Sequence, residues 1–516
     1  MKSLNLKSSA QLNSDLFSTD FSLPLLEATR LNLTDHCLSF IEAIVSAKSP
    51  FSKNIYCFMA PYLFLDLKYV IECFVISSQM EQIKGRKFFN SDYLEWKEMP
   101  TSIGKNLSQL MVREPNAKYV LRCIKDHLLN KPVKRKPYFF QSRTKPVSLS
   151  VEDVHQASLG TSIDICSVNQ LYDFSNFRPK KIDAQDKELG DQFIETLPCF
   201  LETLGLTPSA ELQMKLREVF EDHINLAQLF KTSLNHKRIR GKTFASISLG
   251  GPLNRGVAAF SRKDAGVKII NFDHGAGSGI FNVPFRRILD LLLADEFVTF
   301  SESQLSGINE TLSNSLISKP KLSASKNRLF QPPVSQHSAS IGKTSYRPIV
   351  MYAPSHLSRE RVYEPSLLHD LSQLRFACKL LTLLKSQNFE IKIKPHPGCK
   401  TNIYDKVATF FDVGIEHKDF ELLPQKPDVV ILDYPNSTLI RSATCLNIPT
   451  TLFVRPSSPL TSIAAEKGIS SLGIVPLLGE PNGEYWFDEG DFLAQLEGCQ
   501  NMKSITFARS FFSYDN

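Results

Sequence analysis

From Pro348 onward, short apolar runs alternate with helical periodicity, and this alternation limits the possible folds more than any other feature of the chain. Runs at Pro348 to Ala353, Phe389 to Lys394, Asp428 to Asp433 and Thr450 to Val454 are β-branched and apolar, and too short for helices. Between them lie helical patterns at about Ser366 to Ser386, near Tyr404 and at about Thr438 to Leu446. Strands separated by helices cannot be joined as hairpins. They need crossovers, so the pattern predicts an α/β fold with a parallel sheet covered by helices on both faces. Ligands in such sheets sit at the carboxyl ends of the strands.

The same texture begins earlier. Strands are predicted at Thr243 to Leu249, Val267 to Phe272 and Glu296 to Phe300, with a helix near Val257. Residues 1 to about 235 read instead as helix-rich, with apolar periodicity at Cys37 to Ala47, Tyr62 to Ser77, Tyr119 to Leu129 and Leu212 to Phe230. Lys131 to Val147 and Asn176 to Lys187 read as loops or internal boundaries, and Pro354 to Glu364 as a loop. Lys319 to Arg347 is rich in Ser, Lys and Pro and too poor in large apolar residues to bury much surface, which suits a linker. With 516 residues the chain exceeds one ordinary core. The expected division is a helix-rich region at 1–235, an α/β part at 236–318, a linker at 319–347 and a second α/β domain at 348–516.

A net charge of +7 is a mild excess for this length. The basic clusters Lys134-Arg135-Lys136 and His236 to Arg240 fit a solvated face, or attraction to anionic lipid headgroups or glycans. No zinc-finger spacing, RNA-recognition aromatic signature or basic heptad region points to nucleic acid. The ten cysteines form no C-x-x-C pair, and no secretory pattern follows Met1, so a reducing, cytoplasmic setting is expected. The most apolar stretch, Ile55 to Ile76, carries Asp66, Lys68 and Glu72. It therefore reads as a buried helix, and membrane contact is expected to be peripheral only, at the inner membrane.

The polar residues that stand out all follow the carboxyl end of a predicted strand, where a cleft would form. Ser437 and Thr438, after Asn436, open a helix directly behind a buried strand; they form either a phosphate site or an ordinary helix cap. Lys394-Pro395-His396-Pro397 fixes one imidazole between two prolines beside a cation. Such a group can protonate or hold a departing phosphate, unless it is a loop histidine without such a role. Asp273-His274-Gly275-Ala276-Gly277-Ser278-Gly279 sets an acid and an imidazole in a glycine-dense turn. His274 is the candidate base, and the alternative is a turn that only shapes the cleft, with Gly275 and Gly277 admitting a ligand near the backbone. Arg255 and Arg359 are candidate partners for phosphate or carboxylate, and His356 stands close to the latter.

Some patterns are excluded. Gly241-Lys242-Thr243 and Gly342-Lys343-Thr344 lack the first glycine of a phosphate loop, since His236 and His337 stand there. The turn after Asp273 is not G-x-G-x-x-G. No D-x-D pair ends a strand and no His/Cys set has zinc spacing, so no metal or cofactor is expected.

Taken in order, Asp273-His274-Gly275, Lys394-Pro395-His396-Pro397 and Asp433-Tyr434-Pro435-Asn436-Ser437-Thr438 resemble motifs of bacterial surface-polysaccharide transferases of the GT-B type. That group includes capsule Kdo transferases, polysialyltransferases and CDP-glycerol glycerophosphotransferases. The resemblance covers about Gly250 to Val454. It implies a GT-B-like fold of two Rossmann-like domains facing a cleft, with the acceptor held by the first and a nucleotide donor by the second. In the bacterial sialyltransferases a histidine-proline motif serves the leaving cytidine phosphate and a Ser/Thr pair binds it, which points here to His396 and to Ser437 with Thr438. Their acid-acid-glycine motif, whose carboxylate is the base, reads here Asp273-His274-Gly275, so the base is either Asp273 or His274. The helix after the Ser/Thr pair offers Arg441, Ser442 and Thr444 where many relatives carry a glutamate, which leaves the donor open.

The resulting expectation is an inverting, metal-independent glycosyltransferase that uses a nucleotide-activated sugar, CMP-linked in one version, and a glycan or glycolipid acceptor in surface-polysaccharide (capsule) synthesis. A CDP-glycerol-type phosphotransferase and a non-catalytic glycan-binding or assembly protein are the alternatives.

Overall fold

The computed structural model describes residues 27–47, 50–80, 138–141, 164–166, 171–172, 184–207, 209–246, 248–273, 277–313, 315–324, 347–355, 370–387, 389–396, 403–433, 437–456, 459–479, 485–498 and 504–512. The expected helix at Tyr119 to Leu129, nearly all of the loop after Pro354, most of the linker and most of the two N-terminal loops lie outside them.

Two six-stranded, wholly parallel sheets organise the chain. The first contains β1 (Tyr138–Gln141), β2 (Asp164–Cys166), β3 (Thr243–Ser246), β4 (Lys268–Phe272), β5 (Glu296–Thr299) and β6 (Lys321–Ala324), in the order β2-β1-β3-β4-β5-β6. The second contains β7 (Ile349–Ala353), β8 (Glu390–Ile393), β9 (Gly414–Ile415), β10 (Val429–Leu432), β11 (Thr450–Val454) and β12 (Gly473–Pro476), in the order β12-β11-β10-β7-β8-β9. Counted from its own first strand, the second sheet runs 3-2-1-4-5-6, the doubly wound dinucleotide-binding order, whereas the first follows the flavodoxin-like 2-1-3-4-5 scheme with one strand added. Every residue of β7 and β10 is buried, as expected for central parallel strands covered on both faces.

The helix-rich N-terminal region is not a separate layer. Helices α1 (Glu27–Ala47), α2 (Pro50–Met80), α3 (Ala184–Thr203) and α4 (Ala210–Ser233) share one apolar core with α5 (Pro252–Ala265) and with β3 to β5. β1 and β2 enter the first sheet from before residue 235, and β6 pairs with β5 from inside the expected linker. The expected break at 235/236 therefore falls within one core, and Lys321–Ala324 of the expected linker is a strand of the first sheet. Local signals set the helix ends. Ser209 caps α4 through the Leu212 amide, and Pro252 opens α5, which closes on Gly266 at φ 60°.

α2 is a buried helix despite its charges. Asp66 faces His223 of α4 at 3.0 Å, and Lys68 pairs with Glu72 at 3.8 Å, all four being buried. Among the described residues no helix is long and apolar enough to cross a membrane.

Candidate functional site

In the second sheet the winding direction reverses between β7 and β10, and their carboxyl ends open the crevice where doubly wound sheets bind ligands. Asp433, the residue after β10, is fully buried there. Its Oδ1 accepts from the Ser355 amide at 2.5 Å and from Ser355 Oγ at 2.9 Å; its Oδ2 accepts from the Tyr352 hydroxyl at 2.5 Å and from Gln373 Nε2 at 2.6 Å. Gln373, on α7 (Asp370–Lys385), accepts in turn from Arg455 Nη2 at 3.0 Å, and Tyr404, on α8 (Ile403–Phe411), donates to the Ser355 carbonyl at 2.7 Å. Burial, followed by the Asp433 charge, raises the Tyr352 hydroxyl well above its usual range, so Tyr352 stays a donor. This network fixes the directions in which the chain leaves β7 and β10. The sequence reading quoted Asp433 but gave it no role; an acid directly behind four buried apolar residues was the available signal.

Two of the expected donor-side groups stand at this edge. His396 is half-buried three residues beyond β8, next to β7, and Ser437 is half-buried beyond β10, on the other side of β7. Two strand spacings separate their strands, about 10 Å. Ser437 Oγ accepts from the Leu439 amide at 3.2 Å, so the hydroxyl caps α9 (Leu439–Cys445), and Thr438 is exposed. With seven residues α9 supplies only a small dipole. Lys394 is turned elsewhere: its Nζ donates to the Lys418 carbonyl at 2.5 Å, and burial lowers its pKa. Asn436, Arg359 and His356 lie outside the described residues.

At the first sheet, Asp273 follows β4 and its side chain is 1% exposed. Ser278 Oγ donates to its Oδ1 at 2.7 Å and Arg286 Nη1 at 3.3 Å, while Gln304 Nε2 donates to Oδ2 at 3.3 Å. Arg286 also lies 3.8 Å from buried Asp290, within a π-helical turn at Arg287–Leu291. Gly277 is buried and its carbonyl closes a turn on the Ile280 amide at 3.1 Å. Gly279, at φ 78°, packs on α6 (Glu302–Leu312) so closely that a Cβ there would meet the Gln304 carbonyl oxygen at 2.5 Å. His274 and Gly275 lie outside the described residues.

Arg255 is corrected by the structure. It is fully buried, and its guanidinium donates to the carbonyls of Phe58 (2.8 Å), Cys57 (2.5 Å), Ile288 (2.8 Å) and Leu289 (2.8 Å). Pro61 explains one of these acceptors: it has no N–H for the Cys57 carbonyl one turn earlier, and Arg255 supplies the donor. Burial brings the Arg255 pKa down to about 10, so it is still a cation at neutral pH. It ties the proline-bearing turn of α2 to the π-helical turn and has no surface to offer an anion.

The carboxyl-side loops of the two sheets meet. Phe281, beyond β4, forms an antiparallel bridge with Leu460, beyond β11. The Asn282 amide donates to the Pro459 carbonyl at 2.9 Å, and Thr461 donates from its amide to Ile280 (2.9 Å) and from its hydroxyl to Gly279 (2.6 Å). Arg441 of α9 stacks 4.5 Å from the Phe300 ring, behind β5. The last described helix, α10 (Ser504–Phe512), packs on α9 and returns to the first half, where its Phe511 carbonyl accepts from Ser301 Oγ at 2.5 Å. Among the described residues no group of three or more His, Cys, Asp or Glu side chains is placed to hold a metal ion.

No protein-family model and no curated protein matches the chain. Among the solved structures that are similar is one described as a crystal structure of GtfA/B complex, at 12% identity and a TM-score of 0.31, over 55% of this chain and 57% of that chain. The chain thus spans little more than half the length of that neighbour, and a likeness at this level assigns it no activity.

Proposed function

We propose that the protein is a glycosyltransferase of the GT-B type that takes a sugar from a nucleotide-activated donor. The observation that carries the proposal is the second sheet's 3-2-1-4-5-6 order, with His396 and Ser437 on either side of its reversal point. The nucleotide would lie across the carboxyl ends of β7, β8 and β10. His396 and the hydroxyls of Ser437 and Thr438 would stabilise the charge growing on the leaving phosphate, with Asn436 and Arg359 from the adjoining loops. The acceptor, a glycan or glycolipid hydroxyl, would approach from the Asp273-His274 turn. Loss of its proton to that turn and attack on the anomeric carbon from the face opposite the nucleotide give inversion, with catalysis coming from orientation and charge stabilisation. Lys394 supports this arrangement by holding the segment after β9, at Lys418. Surface-glycan assembly at the inner face of the membrane, through peripheral contact, is the setting that suits the motifs.

A thermal-shift titration with CMP, CDP, UDP, GDP and ADP tests the donor site, because a ligand that binds only the native state raises the melting temperature. One nucleotide is expected to stabilise the wild type and to lose that effect in His396→Ala and Ser437→Ala. No shift with any of the five would refute the donor site.

A further inference from the structure

The basic stretch His236 to Arg240 has no part in the proposed cleft, and the structure gives it neighbours of the same charge. We infer that the amino-terminal edge of the first sheet is a docking surface for an anionic phospholipid bilayer. It specifies the surface behind the peripheral membrane contact of the transferase reading, and rests on that reading for its setting alone.

Parallel strands all begin at one edge, so the residues that enter them line up there. Lys242 precedes β3, while Lys268, Glu296 and Lys321 open β4, β5 and β6. The Lys268 amide donates to the Lys242 carbonyl at 3.2 Å and the Lys321 amide to the Asp295 carbonyl at 2.9 Å, which fixes the alignment. From β3 to β6 the row is about 15 Å long. Immediately ahead of Lys242, the helical turn His236–Ile239 and a bend at Gly241, with φ 66°, present Lys237, Arg238 and Arg240, all exposed. The Gly241 amide donates to the Ala265 carbonyl at 2.7 Å, so this cluster sits at the end of α5, whose Arg262 pairs with Asp295.

Lys319, just ahead of β6, is exposed as well. These eight cations stand against two carboxylates, Asp295 and Glu296, an excess of six in a chain whose whole net charge is +7. A solvated face mixes its signs; this edge does not, and a surface of one sign attracts its opposite. Leu316, in the loop that enters β6, is 61% exposed. Its backbone is held in place, the amide by Glu42 at 3.3 Å and the carbonyl by Ser46 Oγ at 2.9 Å. A leucine held out beside lysines suits a bilayer surface, where it can enter the acyl boundary while the lysine stems reach up to the phosphates; bases would call for an aromatic platform. On the transferase reading, the carboxyl edge with the cleft then stands about 15 Å further from the bilayer, which suits an acceptor hydroxyl at the free end of a glycan chain.

Cosedimentation of the full chain with vesicles tests this, using phosphatidylcholine alone and phosphatidylcholine with about one third phosphatidylglycerol. Binding is expected on the anionic vesicles and should weaken as salt rises from about 0.1 M to about 0.5 M. Each cation near the surface contributes about fivefold, so Lys237→Ala/Arg238→Ala/Arg240→Ala should bind roughly a hundredfold more weakly, and Leu316→Ser about tenfold. The three side chains are exposed, so the triple variant should melt with the wild type. Arg217→Ala/Arg509→Ala, which removes exposed cations from α4 and α10, should stay within about twofold of wild type. Equal binding to neutral vesicles, no binding to either kind, or an equal loss in the Arg217/Arg509 variant overturns the inference. So does retention on heparin without vesicle binding, lost in the triple variant, which would assign the edge to a soluble polyanion. The nucleotide titration, repeated on the triple variant, keeps the two readings apart: a nucleotide shift without vesicle binding refutes the docking edge alone, and vesicle binding without any nucleotide shift refutes the donor site alone.

Discussion

Replacing Arg255 by methionine keeps the length and packing of the side chain and removes every donor. The acceptors then left in the core include the Cys57 carbonyl, which Pro61 cannot serve, and the Ile288 and Leu289 carbonyls of the π-helical turn. Each buried acceptor without a donor costs about 1–3 kcal/mol, and partial relaxation brings the sum to about 3–5 kcal/mol. For a unit of this size that is a fall in melting temperature of roughly 10 °C. Melting followed by circular dichroism reads the loss directly, and Arg255→Lys, with donors on a single nitrogen, should recover only part of it. The proline gives an internal check. Adding Pro61→Ala to Arg255→Met returns an N–H to the Cys57 carbonyl, so the double variant should melt above Arg255→Met, by the equivalent of about 1 kcal/mol. An Arg255→Met protein melting within about 2 °C of wild type would refute the assignment of Arg255 as a core stitch.

Three further outcomes are expected. Gly307→Ala drives a Cβ into the backbone of Gly279 and should cost about 1–3 kcal/mol in a thermal melt and raise hydrogen exchange in 277–283; unchanged exchange would count against the close packing of Gly279 on α6. Asp433→Asn turns an amide toward the Tyr352, Ser355 and Gln373 donors and should cost about 2–4 kcal/mol, with the nucleotide-induced thermal shift reduced as the floor of the crevice moves; an unchanged shift would separate the network from the donor site. Burial works against ionisation of Glu296, but hydrogen bonds from Lys268 and Ser323 and the charges of Lys268 and Lys321 outweigh it, so its pKa is lowered. The stability it contributes is present above its unfolded value near 4.5 and is lost as pH falls through the lower folded value, so Glu296→Gln should narrow the difference in melting temperature between neutral and acid solution.

The central strands were legible because burial on both faces leaves an unbroken apolar run. Val429–Leu432 and Ile349–Ala353 carry that signature, and their predicted positions hold to within a residue at each end. The edge strands were not legible. β2, β6, β9 and β12 close the two sheets, need only one flank of partners, and consist of runs such as Lys321–Ala324 that look like the loops around them. β1 is an interior strand that the basic, proline-bearing stretch around it concealed. The helical periodicity at Cys37 to Ala47, Tyr62 to Ser77 and Leu212 to Phe230 was visible, but periodicity states only that a face is buried. It does not say against what, and so the N-terminal helices were set apart from the sheet whose core they complete.

The site shows a similar division between local and distant information. That polar residues gather behind the strands follows from the alternation itself. What each of them binds depends on contacts far away in sequence: Arg255 looked like an anion partner because the carbonyl that requires it lies nearly two hundred positions earlier, before Pro61. The two aspartates that follow β4 and β10 illustrate the same point. Each sits directly behind a buried strand, and each carboxylate accepts donors from its own and neighbouring elements, Asp433 to fix the exits of β7 and β10, Asp273 to tie the end of β4 to Ser278 and Gln304. Ile280 and Phe281, at the tip of that turn, belong to the apolar core of the second half, while its root is held in the first. The turn is therefore fastened to both sheets at once, and a substitution that loosens its root should be felt at the crevice between β7 and β10 as well as at the turn itself.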